Sequence, residues 1–281
     1  MKMLRTVRVI LAALTFACAN LFFLGLAEWA AILFKVQLLP ALLALNVAAV
    51  VGVLVVTLLF GRVYCSVVCP MGVFQDIVIG LSRRVRRSVP PKKRTLPHPP
   101  RFLRYVSLVL CVALVALGLV SLGALLDGYS LYGRIAAQVF RPAYSVAQNL
   151  VGAFLADHGH PVLFREVVFV RGACALAVAG TGLVGVAMMA WWRGRLFCNT
   201  LCPVGAILSL VAHRPLVRIR IDSAKCVACG LCAASCKCGA VDVENRKIDD
   251  ASCVRCLDCL AACRKGAIAV WRQCRNGGVA P

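Results

Sequence analysis

Two cysteine patterns carry most of the chemistry open to this sequence. Near the C-terminal end stands Cys226-Val-Ala-Cys229-Gly-Leu-Cys232-Ala-Ala-Ser-Cys236, and 27 residues later Cys253-Val-Arg-Cys256-Leu-Asp-Cys259-Leu-Ala-Ala-Cys263. Both read C-x2-C-x2-C-x3-C, and both continue alike, into Gly239-Ala240-Val241 and Gly266-Ala267-Ile268. The other pattern is G-R-x-aromatic-C-x3-C-P-x-G. It runs from Gly61 to Gly72 with Cys65 and Cys69, and again from Gly194 to Gly205 with Cys198 and Cys202. Closely spaced thiolates hold soft metals or work as redox couples. Zinc suits an isolated C-x2-C pair, but two tandem four-cysteine runs make it the lesser reading. In the second pattern, cysteines at i and i+4 share a helix face. The proline that follows ends or kinks the turn, and Arg62 and Arg195 are placed to favour thiolates. One such copy reads as two packed structural cysteines. Two matching copies point to a redox-active thiol pair or to four thiolates converging on a further cluster, and the sequence leaves that choice open.

These patterns need elements to position them. Hydrophobic residues make up 61% of the 281, charged residues 15%, and the mean hydropathy is +0.86. A soluble domain is nearer half apolar and a quarter charged, so the chain reads as a membrane protein. Four stretches lack charge for the length of a span: Val9 to Ala27, Val36 to Gly61, Tyr105 to Leu126 and Gly172 to Trp192. The first, after Lys2, Arg5 and Arg8, also fits a signal peptide. It continues to Phe34 broken only by Glu28, which favours an uncleaved span. Between Gly61 and Arg104 stand ten Lys/Arg against the single acid Asp76, while Asp127 to Val170 carries three, Arg134, Arg141 and Arg165. Positive loops stay on the cytoplasmic side, so both termini are expected there. The proline-rich run from Arg83 to Arg104 reads as an extended basic loop attracted to anionic lipid, with no nucleic-acid partner. His158 and His160 read as solvated loop residues before metal or haem ligands. Cys18, Cys111 and Cys174 read as packing groups, and Cys238 as an extra thiol or an alternative ligand.

The tail resembles the bacterial two-cluster ferredoxin. In that family three thiolates wrap one face of a cubane cluster and the fourth reaches the other cluster. The resemblance therefore implies one [4Fe-4S] cluster on Cys226, Cys229, Cys232 and Cys263. It implies a second on Cys253, Cys256, Cys259 and Cys236. The family usually has proline after the fourth cysteine, where Lys237 and Arg264 stand here. Cations there should raise the potential of the reduced, more negative cluster. Four spans, two CxxxCP motifs after spans two and four, and this tail together resemble the NapH/NosR-type membrane polyferredoxins. The stretch Leu126 to Arg134 is similar to an outer segment of that family.

The expected architecture is thus an α-helical membrane protein with four transmembrane helices, plus a small C-terminal α+β two-cluster bacterial ferredoxin domain. Residues 1–220 would form the membrane domain, 221–272 the ferredoxin domain and 273–281 a tail. The expected function is iron-sulfur electron transfer in the bacterial inner membrane, with the ferredoxin domain cytoplasmic. Electrons would pass between the quinol pool, or a membrane partner, and a respiratory reductase or dehydrogenase. Quinone is a candidate cofactor beside the clusters, and membrane lipid and other electron-transfer proteins are the expected partners. The alternatives are a copper reductase serving assembly of a respiratory enzyme, and a redox sensor. No phosphate-binding loop, dinucleotide fingerprint or hydrolase motif is present, which argues against nucleotide-driven chemistry.

Overall fold

The computed structural model describes residues 2–31, 37–85, 96, 101–158, 172–273 and 279–280. It is mostly helical. Two helices are long and apolar enough to cross a bilayer: α1 (Lys2–Phe23) and, much later, Ala173–Arg193. At 1.5 Å per residue they run about 33 and 32 Å, against a hydrocarbon core of about 30 Å. Only 17% of each apolar window is buried within the fold. Side chains such as Ile10, Leu14, Leu176 and Val184 face outward, a surface that lipid and not water stabilises.

The second and third apolar stretches do not form straight spans. Val36 to Gly61 breaks into α2 (Leu38–Leu43) and α3 (Val47–Phe60), which pack on each other. Leu45 takes a left-handed φ of 53°, and the Asn46 side chain caps α3 through Ala49 N at 3.2 Å. Tyr105 to Leu126 breaks into α6 (Arg101–Ala116) and α7 (Val120–Leu126), separated by Gly118 at φ +78°. Cys111 Sγ meets Gly123 O at 3.7 Å, and Gly123 leaves room for Val115. The chain therefore doubles back within each stretch. α3 is about 21 Å long and α6 about 24 Å, both short of the core thickness. Apolar length predicted four spans; left-handed turns inside two of the stretches make hairpins instead.

Between them, α4 (Tyr64–Val67) and α5 (Pro70–Val85) follow α3. The expected extended loop from Arg83 is shorter than read, because α5 continues to Val85 and α6 opens at Arg101; its middle lies outside the described residues apart from Leu96. The expected outer segment is also helical: α8 (Gly128–Ile135), a π-helical turn (Ala136–Phe140) and α9 (Arg141–Asp157). Tyr132, fully buried, sits among Phe16, Phe23, Phe74 and Phe140 at ring-centroid distances of 5.7 to 6.4 Å. α10 (Ala173–Arg193) then leads to α11 (Leu196–Thr200) and α12 (Pro203–Val211).

The tail is a small α+β unit. β1 (Val217–Ile221) pairs antiparallel with β4 (Ile268–Gln273), with Ile219 opposite Val270, and β4 pairs with β5 (Val279–Ala280). α13 (Leu231–Ser235), a two-stranded ribbon β2 (Val241–Asp242) and β3 (Lys247–Ile248), and α14 (Asp258–Ala262) fill the interval. The sheet begins at Val217, four residues before the expected boundary.

Candidate redox centres

Each position of the Gly-Arg-Cys motif has a structural task, and the two copies perform it on each other. Gly61 at φ +77° and Gly194 at φ +66° turn the chain out of α3 and α10. Pro70 and Pro203 open α5 and α12, where the missing N–H costs nothing; they start the next helix rather than merely ending the previous turn. Tyr64 and Phe197 are buried, and all four cysteines with them. The arginines cross over. Arg62 donates from Nη2 to the carbonyl of Cys198 at 2.9 Å and from Nη1 to Asn199 Oδ1 at 2.5 Å. Arg195 donates from Nη1 to the carbonyl of Cys65 at 2.6 Å. A methyl group on Gly72 would strike the Cys65 carbonyl oxygen and stand 3.2 Å from Arg195 Nη1. One on Gly205 would strike the Cys198 carbonyl oxygen and stand 2.9 Å from Arg62 Nη2. The crossing extends outward: Arg8 of α1 donates to Ser66 O at 2.9 Å, and Arg104 of α6 to Asn199 O at 2.9 Å.

The four thiols share one buried neighbourhood. Burial pushes Cys69 well up, and the nearby Cys198, Cys65 and Cys202 add to it. Burial also raises Cys198, outweighing Arg195, and raises Cys202. For these three, burial opposes the thiolate that the arginines favour, and desolvation is the larger influence. Gln75 Nε2 lies 3.1 Å from Cys198 Sγ. Gly128 packs on Met71 and Phe197, so the segment expected on the outer side stands beside these motifs, returned there by the α6–α7 hairpin.

The tail docks directly on this centre. Arg62 and Arg104 donate to Ala251 O at 3.0 and 3.4 Å, and Arg104 to Ser252 Oγ at 3.0 Å. Asn199 Nδ2 reaches Ser252 O at 3.3 Å, and the backbone N–H of Arg195 donates to Lys237 O at 2.8 Å. Asp76 is the hub, taking Arg8 at 2.7 Å, Arg195 at 2.8 Å and Lys237 at 3.2 Å. Lys237 also pairs with Asp258 at 3.1 Å, as does Arg5 at 2.8 Å. Burial alone would raise the Asp76 carboxyl. Arg195, Lys237 and Arg8 instead hold it well below the usual carboxylate range. Its contribution is complete above about pH 4, the unfolded carboxylate value, and is lost only as pH falls below it.

Within the tail the cysteines line two cavities. An outer one is walled by Cys226, Cys229, Cys232 and Cys263, with Ile221, Val243 and Ile268 behind them. An inner one is walled by Cys236, Cys253, Cys256, Cys259 and the extra Cys238, with Ile219, Val241 and Ile248. Cys229 is exposed, whereas Cys236, Cys238, Cys256 and Cys259 are buried.

Comparison with known proteins shows what the chain is similar to. The 4Fe-4S binding domain family matches residues 42–88 and 175–221. The ferredoxin-type protein NapH of Haemophilus influenzae is 28% identical over 199 residues, 70% of this chain and 55% of NapH. The methylamine utilization ferredoxin-type protein MauN of Paracoccus denitrificans is 27% identical over 193 residues, 67% of this chain and 54% of MauN. The chain is similar to the NapH-like ferredoxin-type proteins and carries two 4Fe-4S binding domain matches. An uncharacterized protein of Methanocaldococcus jannaschii matches at 23% over 192 residues, 68% of the chain and 64% of that protein. The chain thus spans less than two thirds of the length of these relatives. No solved structure matches it. The two matched 4Fe-4S binding regions contain the two Gly-Arg-Cys repeats, where the sequence reading had a further redox site on Cys65, Cys69, Cys198 and Cys202. Its relatives are named as ferredoxin-type proteins, and two of its own helices are long and apolar enough to cross a membrane.

Sequence reasoning missed Arg8, Arg104, Asn199, Ser252 and Lys237 as docking residues. One signal was available: Asp76 is the lone acid amid ten cations, the mark of a buried counter-charge. His158 is exposed, with Nδ1 2.8 Å from Phe154 O, and His160 lies outside the described residues. Cys18 is half-buried, Cys111 buried and Cys174 exposed.

Proposed function

We propose that this protein carries single electrons between the quinol pool, or a membrane partner, and a respiratory reductase or dehydrogenase system. One observation carries the reading: three cysteine-lined centres follow one another outward, from the crossed motifs, through the inner tail cavity docked against them, to the outer cavity at the surface. Two [4Fe-4S] clusters belong in the tail cavities, the inner held by Cys253, Cys256, Cys259 and Cys236, the outer by Cys226, Cys229, Cys232 and Cys263. Four cysteines wall the outer cavity and five the inner, enough thiolates for one [4Fe-4S] cluster in each. Cys65, Cys69, Cys198 and Cys202 form a further redox site, as a third cluster or as thiols. When bound, the clusters supply one-electron chemistry. The chain holds them in apolar walls, keeps water from the inner one, and sets cations of Lys237 and Arg195 beside it. The tail and both termini face the cytoplasm. The membrane part comprises α1, α10 and the two hairpins in place of four straight spans.

The test is anaerobic purification and the Cys65→Ala/Cys202→Ala double variant in a strain dependent on the pathway. The tail alone should hold about eight iron per chain, four per cluster. The double variant should keep that iron and stop electron flow. Undiminished flow would remove the crossed motifs from the path, and zinc in place of iron would overturn the cluster assignment.

A further inference from the structure

The mouth of the outer cavity has a composition of its own. Val227, Ala228 and Cys229 are exposed in sequence, with Val227 62% accessible, an apolar projection in front of the cysteine wall. Around it the same cavity is lined by Lys225, Arg264 and Lys265, and no acid lines it. Arg264 and Lys265 are exposed and make no ion pair among the described residues, while Lys225 is balanced in part by Asp222 at 3.6 Å. Two other cations of the tail are spent on structure: Lys237 on Asp76 and Asp258, and Arg255 on Asp250. At the mouth, Arg264 and Lys265 are not. An exposed apolar centre with a cationic rim, two of whose three charges make no ion pair among the described residues, over the surface-nearest cysteines, is a docking surface whose charge selects its partner.

From this geometry we propose that the mouth of the outer cavity docks a soluble one-electron carrier with an acidic face around its own redox centre. The proposal rests on the outer cavity holding a cluster, as argued above. One electron crosses per encounter: the cluster is oxidised by one electron as the carrier is reduced by one, or the reverse. The rim cations raise the encounter rate and orient the carrier, and Val227 seats against its apolar centre.

The experiment uses the full chain in lipid nanodiscs, with flavodoxin as an acidic probe and cytochrome c as a basic one. Binding is read by interferometry, and single-turnover electron transfer from the chemically reduced protein is followed alongside. Flavodoxin should bind more weakly as salt rises. Lys225→Glu/Arg264→Glu/Lys265→Glu should weaken it about tenfold or more and improve cytochrome c binding. Val227→Asp alone should lower flavodoxin affinity with the rim intact. Iron content and cluster spectra of each variant are recorded first. Loss of the outer cluster signal in the unaltered protein refutes the cluster reading rather than the surface. Full cluster content with flavodoxin binding indifferent to salt and to the rim variants overturns the docking proposal, as does preferential binding of cytochrome c by the unaltered chain.

Discussion

Arg62 and Arg195 have no solvent exposure, yet each is charged and each satisfies a carbonyl in the other half of the molecule. A buried guanidinium is costly unless its N–H groups are met, so the two halves cannot separate without stranding both. The glycine that ends each motif admits the crossing. Gly205→Ala would place a methyl group onto the Cys198 carbonyl and beside Arg62 Nη2. An overpacked core position costs about 1–3 kcal/mol, so this variant should melt measurably lower. Gly52→Ala, on a helix face with nothing within 4 Å, should not. Equal melting of the two would refute the crowding argument. At this scale the letters of the motif were legible but their pairing was not. Spacing along a chain shows that an arginine stands near a cysteine; it does not show that the arginine of one copy serves the cysteine of the other.

Among elements, the reading succeeded where an apolar stretch is also one unbroken helix, as in α1 and α10. It failed at the two hairpins because hydropathy counts apolar residues and is indifferent to backbone direction. The left-handed turns at Leu45 and Gly118 decide direction, and Gly118 was visible without being diagnostic. The interior of a membrane protein tolerates such breaks where other helices cover the backbone. The hairpin has a direct check. A Cβ on Gly128 would lie 3.5 Å from that of Met71, inside the range for a disulfide. Met71→Cys with Gly128→Cys should therefore cross-link on mild oxidation, with the linked peptides identified by mass. A straight span through Tyr105 to Leu126 would carry residue 128 about 30 Å away, and no such link would form.

At the scale of the molecule, α1 begins and α10 ends against the same tail domain, through Arg5 to Asp258 and through Gly194, which has no room for a Cβ beside Lys237 O. Reporter fusions placed after Arg272 should therefore behave as cytoplasmic, and fusions at His158 as periplasmic. A periplasmic reporter at Arg272 would reverse the orientation and remove the reducing compartment that favours cluster survival. The α+β character of the tail was legible from its repeat. Its seat on the membrane part was not, because that seat is built from single residues scattered from Arg5 to Asp258. The order in which those residues are synthesised matters too. Arg62 leaves the ribosome 189 residues ahead of Ala251, one of its acceptors. At about 5–20 residues per second that is a wait of about 10–40 s. During it the N-terminal half holds a guanidinium prepared for partners that do not yet exist. A chain whose synthesis stops short of Cys198 holds that guanidinium without its acceptors in the second copy and the tail.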